Sequence, residues 1–418
     1  MSSYIQTDKQ GFRFSSGIYP VALPALVYYL WVCVSDFDGA LVLPASKEEI
    51  LRLASRVPGP TVASVILCAG WLLLQALLQI FAPGRVHEGA PLADGTRLKY
   101  RMNGWFSFWF TLGLFFLLVW LGWVPATLFY DHLGPLLTTS NLFAFAFSLS
   151  LYFHGRARRK EEEVSGRPLY DFFMGTSLNP RIGDFDLKLF CEARPSLILW
   201  VLIDLSLAAR QYQTHGRLTT PMILVVAFQS LYVADYFFHE SAILTTLDVK
   251  HEKFGWMLCW GNLVWVPFTY TLQAHYLIHH THDLPAWGAA ALIALNAGGY
   301  YIFRSANRQK HRFRADPEGL IWGRRPEYIR TRRGALLLTS GWWGVARHFN
   351  YVGDLTMGLA WCLPCLFDHL LPYFYIIYLT ALLIHRERRD NTLCLAKYGR
   401  DWEAYCQKVR WRILPRLY

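Results

Sequence analysis

Long apolar stretches recur along almost the whole chain, and they limit it to a small number of architectures. Most are close to the roughly 20 residues that an α-helix needs to cross a bilayer. They lie at residues 17–34, 60–82, 105–129, 136–153, 196–209, 219–238, 255–278, 286–303, 353–367 and 371–384. Because lipid offers the backbone no hydrogen-bond partners, continuous apolar segments of this length form helices. The sequence therefore predicts an all-α polytopic membrane protein with about ten transmembrane helices.

Composition favours membrane spans over a soluble core. Hydrophobic residues make up 54% and charged residues only 17% of the 418 residues. A soluble domain usually has about 25% charged residues. Mean hydropathy is +0.21 although the net charge is +11, so the charged residues must be segregated from the apolar ones.

The basic residues between the spans predict the orientation in the membrane. With about ten spans, the even-numbered loops and the tail share one face. That face carries Arg85, Arg97, Lys99, Arg101, Arg156, Arg158, Arg159, Lys160, the run at 304–333 and the tail from Arg386 onward. The odd-numbered loops are acidic or nearly neutral. The positive-inside rule therefore predicts that both termini are cytosolic.

Polar residues are distributed unevenly, which predicts a functional division of the chain. Residues 1–155, with about four helices, contain few polar residues and are interpreted as a transmembrane scaffold. Residues 156–418 are interpreted as the catalytic half. The polar segment at 169–195 is predicted to be a cytosolic loop, with two open interpretations: its charges pair with one another, or they line a substrate entrance.

The sixth predicted span ends in a group of polar residues. Its members are Tyr232, Asp235, His239 and Glu240, whose spacing places them on one face of a helix. A carboxylate within a span is a candidate functional group by default, because burying it in hydrocarbon is costly. The alternative is a polar pair that holds neighbouring helices together.

The C-terminal third mixes basic, aromatic and acidic residues more densely than membrane anchoring requires. Such a set suits a phosphorylated nucleotide, since arginine and lysine bind phosphate and aromatic rings stack on bases. The chain has no GxGxxG motif after a strand and no P-loop. A dinucleotide would therefore bind between helices and cytosolic loops, in a cofactor pocket within the C-terminal half.

Two groups of residues resemble metal sites only weakly, and we predict no metal. Cys362 and Cys365 have CxxC spacing, but no second thiol pair matches them. His279, His280 and His282 precede Asp283 in a short loop on the predicted non-cytosolic face, and no further histidine cluster accompanies them.

Four long motifs carry a resemblance to a known family. They read LYDFFMGTSLNPRIGDFD, GWWGVARHFNYVGDL, LPYFYIIYLTALLIHRERRD and KYGRDWEAYC, in this order within residues 100–418. In these motifs the chain resembles the sterol reductases: delta-14 sterol reductases, 7-dehydrocholesterol (delta-7) reductases and the C-terminal membrane domain of the lamin B receptor. The segment from Leu244 onward is most similar to the delta-14 members, whereas Phe349 and residues 399–403 are more similar to the delta-7 members.

The resemblance implies reduction of a sterol ring double bond with NADPH. The positions that match the family's cofactor residues are Lys310, Arg314, Trp343, Arg347, His348, Asn350, Tyr351, Asp354, Arg386, Arg389, Asp390 and Tyr398. The expected partners are a sterol from the bilayer and membrane lipids, without nucleic acid. The expected location is the endoplasmic reticulum or nuclear envelope in a eukaryote, or the cytoplasmic membrane in a bacterium.

An unactivated alkene determines the order of the chemical steps. It carries no carbonyl to polarise it, so a proton must add before a hydride can. We predict that Tyr232 and Asp390 deliver this proton, with Asp235 and Glu240 as relay or electrostatic support. Arg386 and Arg389 are expected to keep Asp390 ionised, because nearby cations favour the carboxylate.

Two alternative functions remain open at this point. The tail also resembles that of isoprenylcysteine carboxyl methyltransferases, which bind S-adenosylmethionine instead of NADPH. The second alternative is a non-catalytic scaffold that binds sterol or partner proteins. Measurable consumption of NADPH would distinguish an enzyme from such a scaffold.

Overall fold

A computed structural model describes residues 2–92, 95–157 and 164–418. The described residues are mostly helical, with three two-stranded antiparallel sheets. This confirms the helical class. Arg158, Arg159 and Lys160, which were predicted to be cytosolic, lie outside the described residues.

The chain forms two compact units. The first contains Met1–His282 and His369–Leu371, and the second contains Asp283–Asp368 and Pro372–Tyr418. This division differs from the predicted boundary between residues 155 and 156, which concerns function and stays a prediction.

The first unit contains thirteen described α-helices and two β-hairpins. The helices are α1 (Ser2–Asp36), α2 (Lys47–Ala54), α3 (Val62–Phe81), α4 (Gly104–Trp120), α5 (Leu128–Asp131), α6 (Leu133–Ala157), α7 (Pro168–Met174), α8 (Leu187–His215), α9 (Thr220–Phe238), α10 (Leu247–His251), α11 (Trp256–Trp260), α12 (Val266–Thr269) and α13 (Leu272–Tyr276). The hairpins pair β1 (Arg85–Pro91) with β2 (Arg97–Met102), and β3 (Arg181–Ile182) with β4 (Phe185–Asp186).

Helix α8 lies at the centre of the first unit. It packs against α3, α4, α5, α9, α12 and α13, and most of its side chains are buried. The helix begins where the Asp186 carboxylate accepts a hydrogen bond from the Leu189 amide at 2.9 Å. The prediction of a loop up to residue 195 is therefore wrong for residues 187–195, because an N-cap starts the helix before the apolar stretch begins.

The predicted span at 255–278 is not one continuous α-helix. A π-helical turn at Gly261–Trp265 separates α11 from α12, and a turn at Tyr270 and Thr271 separates α12 from α13. Pro267 lies at the start of α12. A proline lacks the amide that would continue the hydrogen-bond ladder, so the helix is interrupted here.

The second unit contains α14 (Ala286–Ala315), α15 (Trp342–Val345), α16 (Phe349–Cys362), α17 (Phe374–Tyr398), α18 (Arg400–Lys408) and a hairpin of β5 (Tyr328–Arg330) and β6 (Leu336–Leu338). Helices α14 and α16 pack closely through two glycines. A Cβ atom on Gly299 would lie 2.9 Å from the Gly353 carbonyl oxygen, so only glycine permits this approach. Helix α17 packs against α16.

Five helices of the described chain are long and apolar enough to cross a bilayer. They are Gly17–Asp36, Val62–Phe81, Leu133–Ala157, Thr220–Phe238 and Ala286–Ala315. The predicted count of about ten stays a prediction. At 1.5 Å per residue, the 30 residues of α14 extend about 45 Å, beyond the roughly 30 Å of hydrocarbon. Its basic C-terminal turns can therefore lie outside the membrane.

Candidate active site

A cation and an aromatic ring meet in the second unit between α14 and α15. The Lys310 ammonium lies 3.9 Å from the centre of the Trp343 ring, well within cation–π distance. The Trp343 indole donates a hydrogen bond to the Ala306 carbonyl at 2.8 Å, one turn before Lys310. This bond fixes the ring, so the ammonium has a defined position. Arg314 is exposed one turn further along α14.

His348 and Asp390 form the centre of the candidate site. The Nε2 atom of His348 lies 3.5 Å from Oδ2 of Asp390, and the imidazole stacks on Tyr351 with ring centres 4.9 Å apart. Burial, reinforced by the charges of Lys310 and Arg347, lowers the pKa of His348 from 6.5 to about 3. The imidazole is therefore neutral near pH 7, and its contact with Asp390 is not an ion pair.

The pKa of Asp390 shifts in the direction opposite to the expected one. Burial raises the pKa of this carboxyl above its usual value, and the charge of Lys310 opposes the increase only in part. The expectation that neighbouring cations lower the pKa of Asp390 is therefore wrong in direction, because the loss of hydration outweighs their effect. A carboxyl group with a raised pKa is better suited to hold a proton.

The remaining predicted cofactor residues also belong to the second unit. Arg347 donates from Nη1 to Asn391 Oδ1 at 3.4 Å. Asn350, Tyr351 and Asp354 lie in the first two turns of α16, whereas Arg386, Arg389 and Tyr398 lie on α17. Within the described residues, buried Arg347 Nε and Asn350 Oδ1 have no hydrogen-bond partner.

These residues fit a phosphorylated dinucleotide. Lysine and arginine supply the charges that phosphate groups need, and Trp343, Tyr351 and Tyr398 supply aromatic rings. A buried donor and a buried acceptor without partners are costly unless a ligand or water pairs with them. The cationic side chains would pair with the phosphate groups of such a cofactor, and Arg347 Nε and Asn350 Oδ1 would form hydrogen bonds with its polar groups.

The predicted polar group of the sixth span lies in the first unit. Tyr232 is half-buried on α9, with its ring centre 6.3 Å from that of Trp200. Oδ1 of Asp235 lies 3.3 Å from Nδ1 of His239. Helix α9 ends at Phe238, and Glu240 begins a 3₁₀ helix. The prediction that one helix carries the whole group is therefore wrong for Glu240.

Glu240 is held by structural contacts. Its Oε1 lies 2.9 Å from Nη2 of fully buried Arg194, and its Oε2 accepts a hydrogen bond from the Gly104 amide at 2.8 Å. Arg194 also donates to the Asn103 side chain at 2.5 Å. The pair thus joins the starts of α4 and α8 to the segment after α9. These contacts account for the burial of Glu240 without a catalytic role.

The segment at 169–195 contains an internal ion pair, and other charged residues in it contact distant parts of the chain. Arg181 Nε lies 3.1 Å from Asp186 Oδ2, and its guanidinium lies 4.6 Å from the Tyr100 ring centre. The Lys188 ammonium donates to the carbonyls of Asp248, Val249 and Glu252 at 2.9–3.0 Å. The Arg181–Asp186 pair agrees with mutual pairing, whereas Lys188 contacts another part of the chain, so both interpretations stay open.

Sequence reasoning omitted one buried acidic residue near the site. Glu387 is fully buried on α17, and its Oε2 accepts hydrogen bonds from Arg412 and Tyr418. Its only signal in the sequence is an acidic residue among the arginines of HRERRD. Within the described ranges, no group of three or more His, Cys, Asp or Glu side chains could hold a metal, and His280 contacts the Asp38 carbonyl.

Comparison with known proteins identifies the family. Residues 5–418 match the ergosterol biosynthesis ERG4/ERG24 family. A Delta(14)-sterol reductase from Methylotuvimicrobium alcaliphilum is 59% identical over 98% of this chain and 96% of its own length. Delta(14)-sterol reductases from Dictyostelium discoideum and Mus musculus are 44% and 43% identical, over 94% and 95% of this chain and 88% and 94% of their own lengths. Because the family match covers nearly the whole chain, this protein belongs to the ergosterol biosynthesis ERG4/ERG24 family, as its four motifs indicated.

Proposed function

We propose that this protein reduces the delta-14 double bond of a sterol with NADPH. The observation that carries the proposal is the nearly full-length similarity to proteins named Delta(14)-sterol reductase, at 59% identity in one case. Membership in this family disfavours the methyltransferase alternative. The delta-7 double bond and a non-catalytic scaffold are the alternatives that experiment must separate.

The cluster in the second unit supports NADPH as the cofactor. Lys310 and Arg314, on successive turns of α14, would bind the 2′-phosphate that distinguishes NADPH from NADH. The buried side-chain oxygen of Asn350, Oδ1, would accept a hydrogen bond from an amide or hydroxyl group of the cofactor. When bound, NADPH supplies the hydride. The protein's own residues have to orient the cofactor, exclude water and supply the proton.

Proton delivery is proposed for Tyr232 and Asp390. Burial raises the pKa of Asp390, so this carboxyl holds a proton more readily than an exposed aspartate. A tyrosine hydroxyl is neutral at physiological pH and can donate a proton to an alkene carbon, so Tyr232 and Asp390 are considered separately as candidate donors. Asp235, in contact with His239, is the proposed support for Tyr232.

The function is tested by turnover of defined sterols. Purified protein is incubated with a delta-8,14 sterol or a delta-7 sterol, with NADPH or NADH, and the products are analysed by mass spectrometry. We expect loss of the delta-14 double bond with NADPH consumption. Loss of only the delta-7 double bond would support the delta-7 alternative, and no NADPH consumption with either sterol would support a scaffold.

Cofactor selection is tested at the two basic residues. Because a charge-assisted contact contributes about 1.5–3 kcal/mol, Lys310→Ala and Arg314→Ala should each raise the KM for NADPH about tenfold or more. Both variants should reduce the preference for NADPH over NADH. Arg333→Ala, at an exposed arginine of the same unit, is the matched control and should leave both quantities unchanged. Equal use of the two cofactors by the wild-type protein would contradict the assignment.

The proton donor is tested by removing one hydroxyl group. Tyr232→Phe should lower kcat by about 10²-fold or more, the usual contribution of a positioned acid, with little change in NADPH affinity. Tyr212→Phe, at an exposed tyrosine of the same unit, is the control. Full turnover by Tyr232→Phe at saturating NADPH and sterol would exclude Tyr232 as the donor and favour Asp235.

A further inference from the structure

The segment at 411–418 folds back onto the candidate cofactor site. The Arg347 amide donates to the Trp411 carbonyl, and the His348 amide donates to the Arg412 carbonyl, both at 2.9 Å. These two backbone bonds fix the turn that carries His348 immediately before α16. The position of His348 opposite Asp390 therefore depends on where residues 411 and 412 lie.

A fully buried carboxylate holds the same segment through its side chains. Oε2 of Glu387 accepts hydrogen bonds from Arg412 Nη1 at 3.0 Å and from the Tyr418 hydroxyl at 3.2 Å. The backbone oxygen of Tyr418 in turn accepts hydrogen bonds from the amides of Arg412 and Ile413, at 2.9 and 3.0 Å. Ile413 is 3% exposed. Glu387 is thus the anchor on α17 for a compact turn that ends at Tyr418.

Glu387 and Asp390 lie on the same helix, less than one turn apart. Asp390 contacts the His348 side chain directly, whereas Glu387 reaches the His348 backbone through Arg412. Helix α17 therefore positions His348 through Asp390, which contacts its side chain, and through Glu387, which acts on its backbone. The loss of either contact would change where the imidazole lies. Glu387 itself has no direct contact with His348 among the hydrogen bonds and ion pairs of the described chain.

We propose that Glu387 is a positioning residue: through Arg412 it holds residues 411–412 against Arg347 and His348, and so sets the nucleotide affinity of the candidate cofactor site. This inference rests on the proposed cofactor site. It adds a residue that lies within the third motif but is not among the predicted cofactor residues.

The main test is Glu387→Gln, which keeps the shape of the side chain and removes its charge. We expect the KM for NADPH to rise about tenfold, because a hydrogen bond to a charged group is replaced by a weaker one. The kcat at saturating NADPH and the KM for the sterol should change less than about twofold. Partial unfolding would lower the active fraction and kcat but would leave the KM unchanged, so the KM separates positioning from stability.

A second readout needs no nucleotide. Hydrogen–deuterium exchange of the Arg347 and His348 amides should become faster in Glu387→Gln, since their acceptors lie in the released segment. Tyr418→Phe, which removes only one hydrogen bond to Glu387, should show a smaller change in the same direction and serves if Glu387→Gln does not fold. Glu403→Gln, at an exposed glutamate of α18, is the matched control.

Combining Glu387→Gln with His348→Ala tests the route of the effect. If Glu387 acts through His348, the double variant should have nearly the KM of His348→Ala alone. Additive effects, unchanged exchange at both amides, or an unchanged nucleotide KM would each overturn the proposal. Failure of the wild-type protein to prefer NADPH would instead contradict the proposed function, and the exchange readout would still report on Glu387.

Discussion

Burial affects the protonation of His348 and Asp390 more than their neighbouring charges do. The pKa of His348 falls to about 3 and that of Asp390 rises, although each faces a group of potentially opposite charge. Both shifts disfavour the charged form, as expected where hydration is lost. The site thus presents a neutral imidazole and a carboxyl group that can hold a proton.

The pKa of His348 predicts an acid-sensitive stability. In the unfolded chain, His348 binds a proton as pH falls below about 6.5. In the folded protein its pKa is about 3, so the imidazole stays neutral until the pH is near 3. Stability from this residue is therefore fully present above pH 6.5 and is lost as pH falls towards 3. At pH 5 the loss is about 2 kcal/mol.

We therefore expect His348→Gln to flatten the decrease in Tm between pH 7 and pH 5. The measurement is thermal unfolding of the purified protein at both pH values. His311→Gln, at an exposed histidine of α14, is the control and should retain the wild-type pH dependence. Equal decreases in the wild-type protein and His348→Gln would contradict the prediction.

At the level of elements, the contact between α14 and α16 requires small residues. A Cβ atom on Gly353 would lie 2.5 Å from the Phe303 amide nitrogen, closer than a methyl group can approach. This close packing brings the start of α16, which follows His348, against the helix that carries Lys310. The spacing of the two helices therefore contributes to the geometry of the candidate site.

Two adjacent glycines of α14 provide a matched test of this contact. Gly299→Ala should destabilise the protein by about 1–3 kcal/mol, because its methyl group meets the backbone of α16. A Cβ atom on Gly298 would have no atom of the described chain within 4 Å, so Gly298→Ala should be neutral or stabilising by up to about 1 kcal/mol. Thermal unfolding measures both, and equal effects would contradict the account.

At the level of the whole molecule, the basic loops predict that both termini face the cytosol. Tags at either terminus, or inserted at Gly323 in the predicted eighth loop, should be digested only from the cytosolic side of sealed membranes. The spans and the odd-numbered loops should remain protected unless detergent is added. A tag that is digested only from the opposite side would contradict the predicted orientation.

The helical class and the family could be inferred from the sequence alone, and the sequence also predicted a group of cofactor candidates. Hydropathy is a sum over neighbouring residues, so apolar spans such as Thr220–Phe238 can be identified without knowledge of packing. Motifs such as GWWGVARHFNYVGDL place several cofactor candidates close together in the chain, and short segments keep such residues close in space. The family match confirms the predicted family, whereas the cofactor residues stay a prediction.

The interaction partners and the burial of individual charged side chains depend on the tertiary structure. Glu240 is paired with Arg194, and Glu387 with Arg412, over separations that no local pattern records. The direction of the Asp390 shift likewise follows from the atoms that exclude water, whereas the sequence shows only the adjacent arginines. A charge is stabilised or neutralised by whatever surrounds it in space, and in a helical protein those surroundings come mostly from distant parts of the chain.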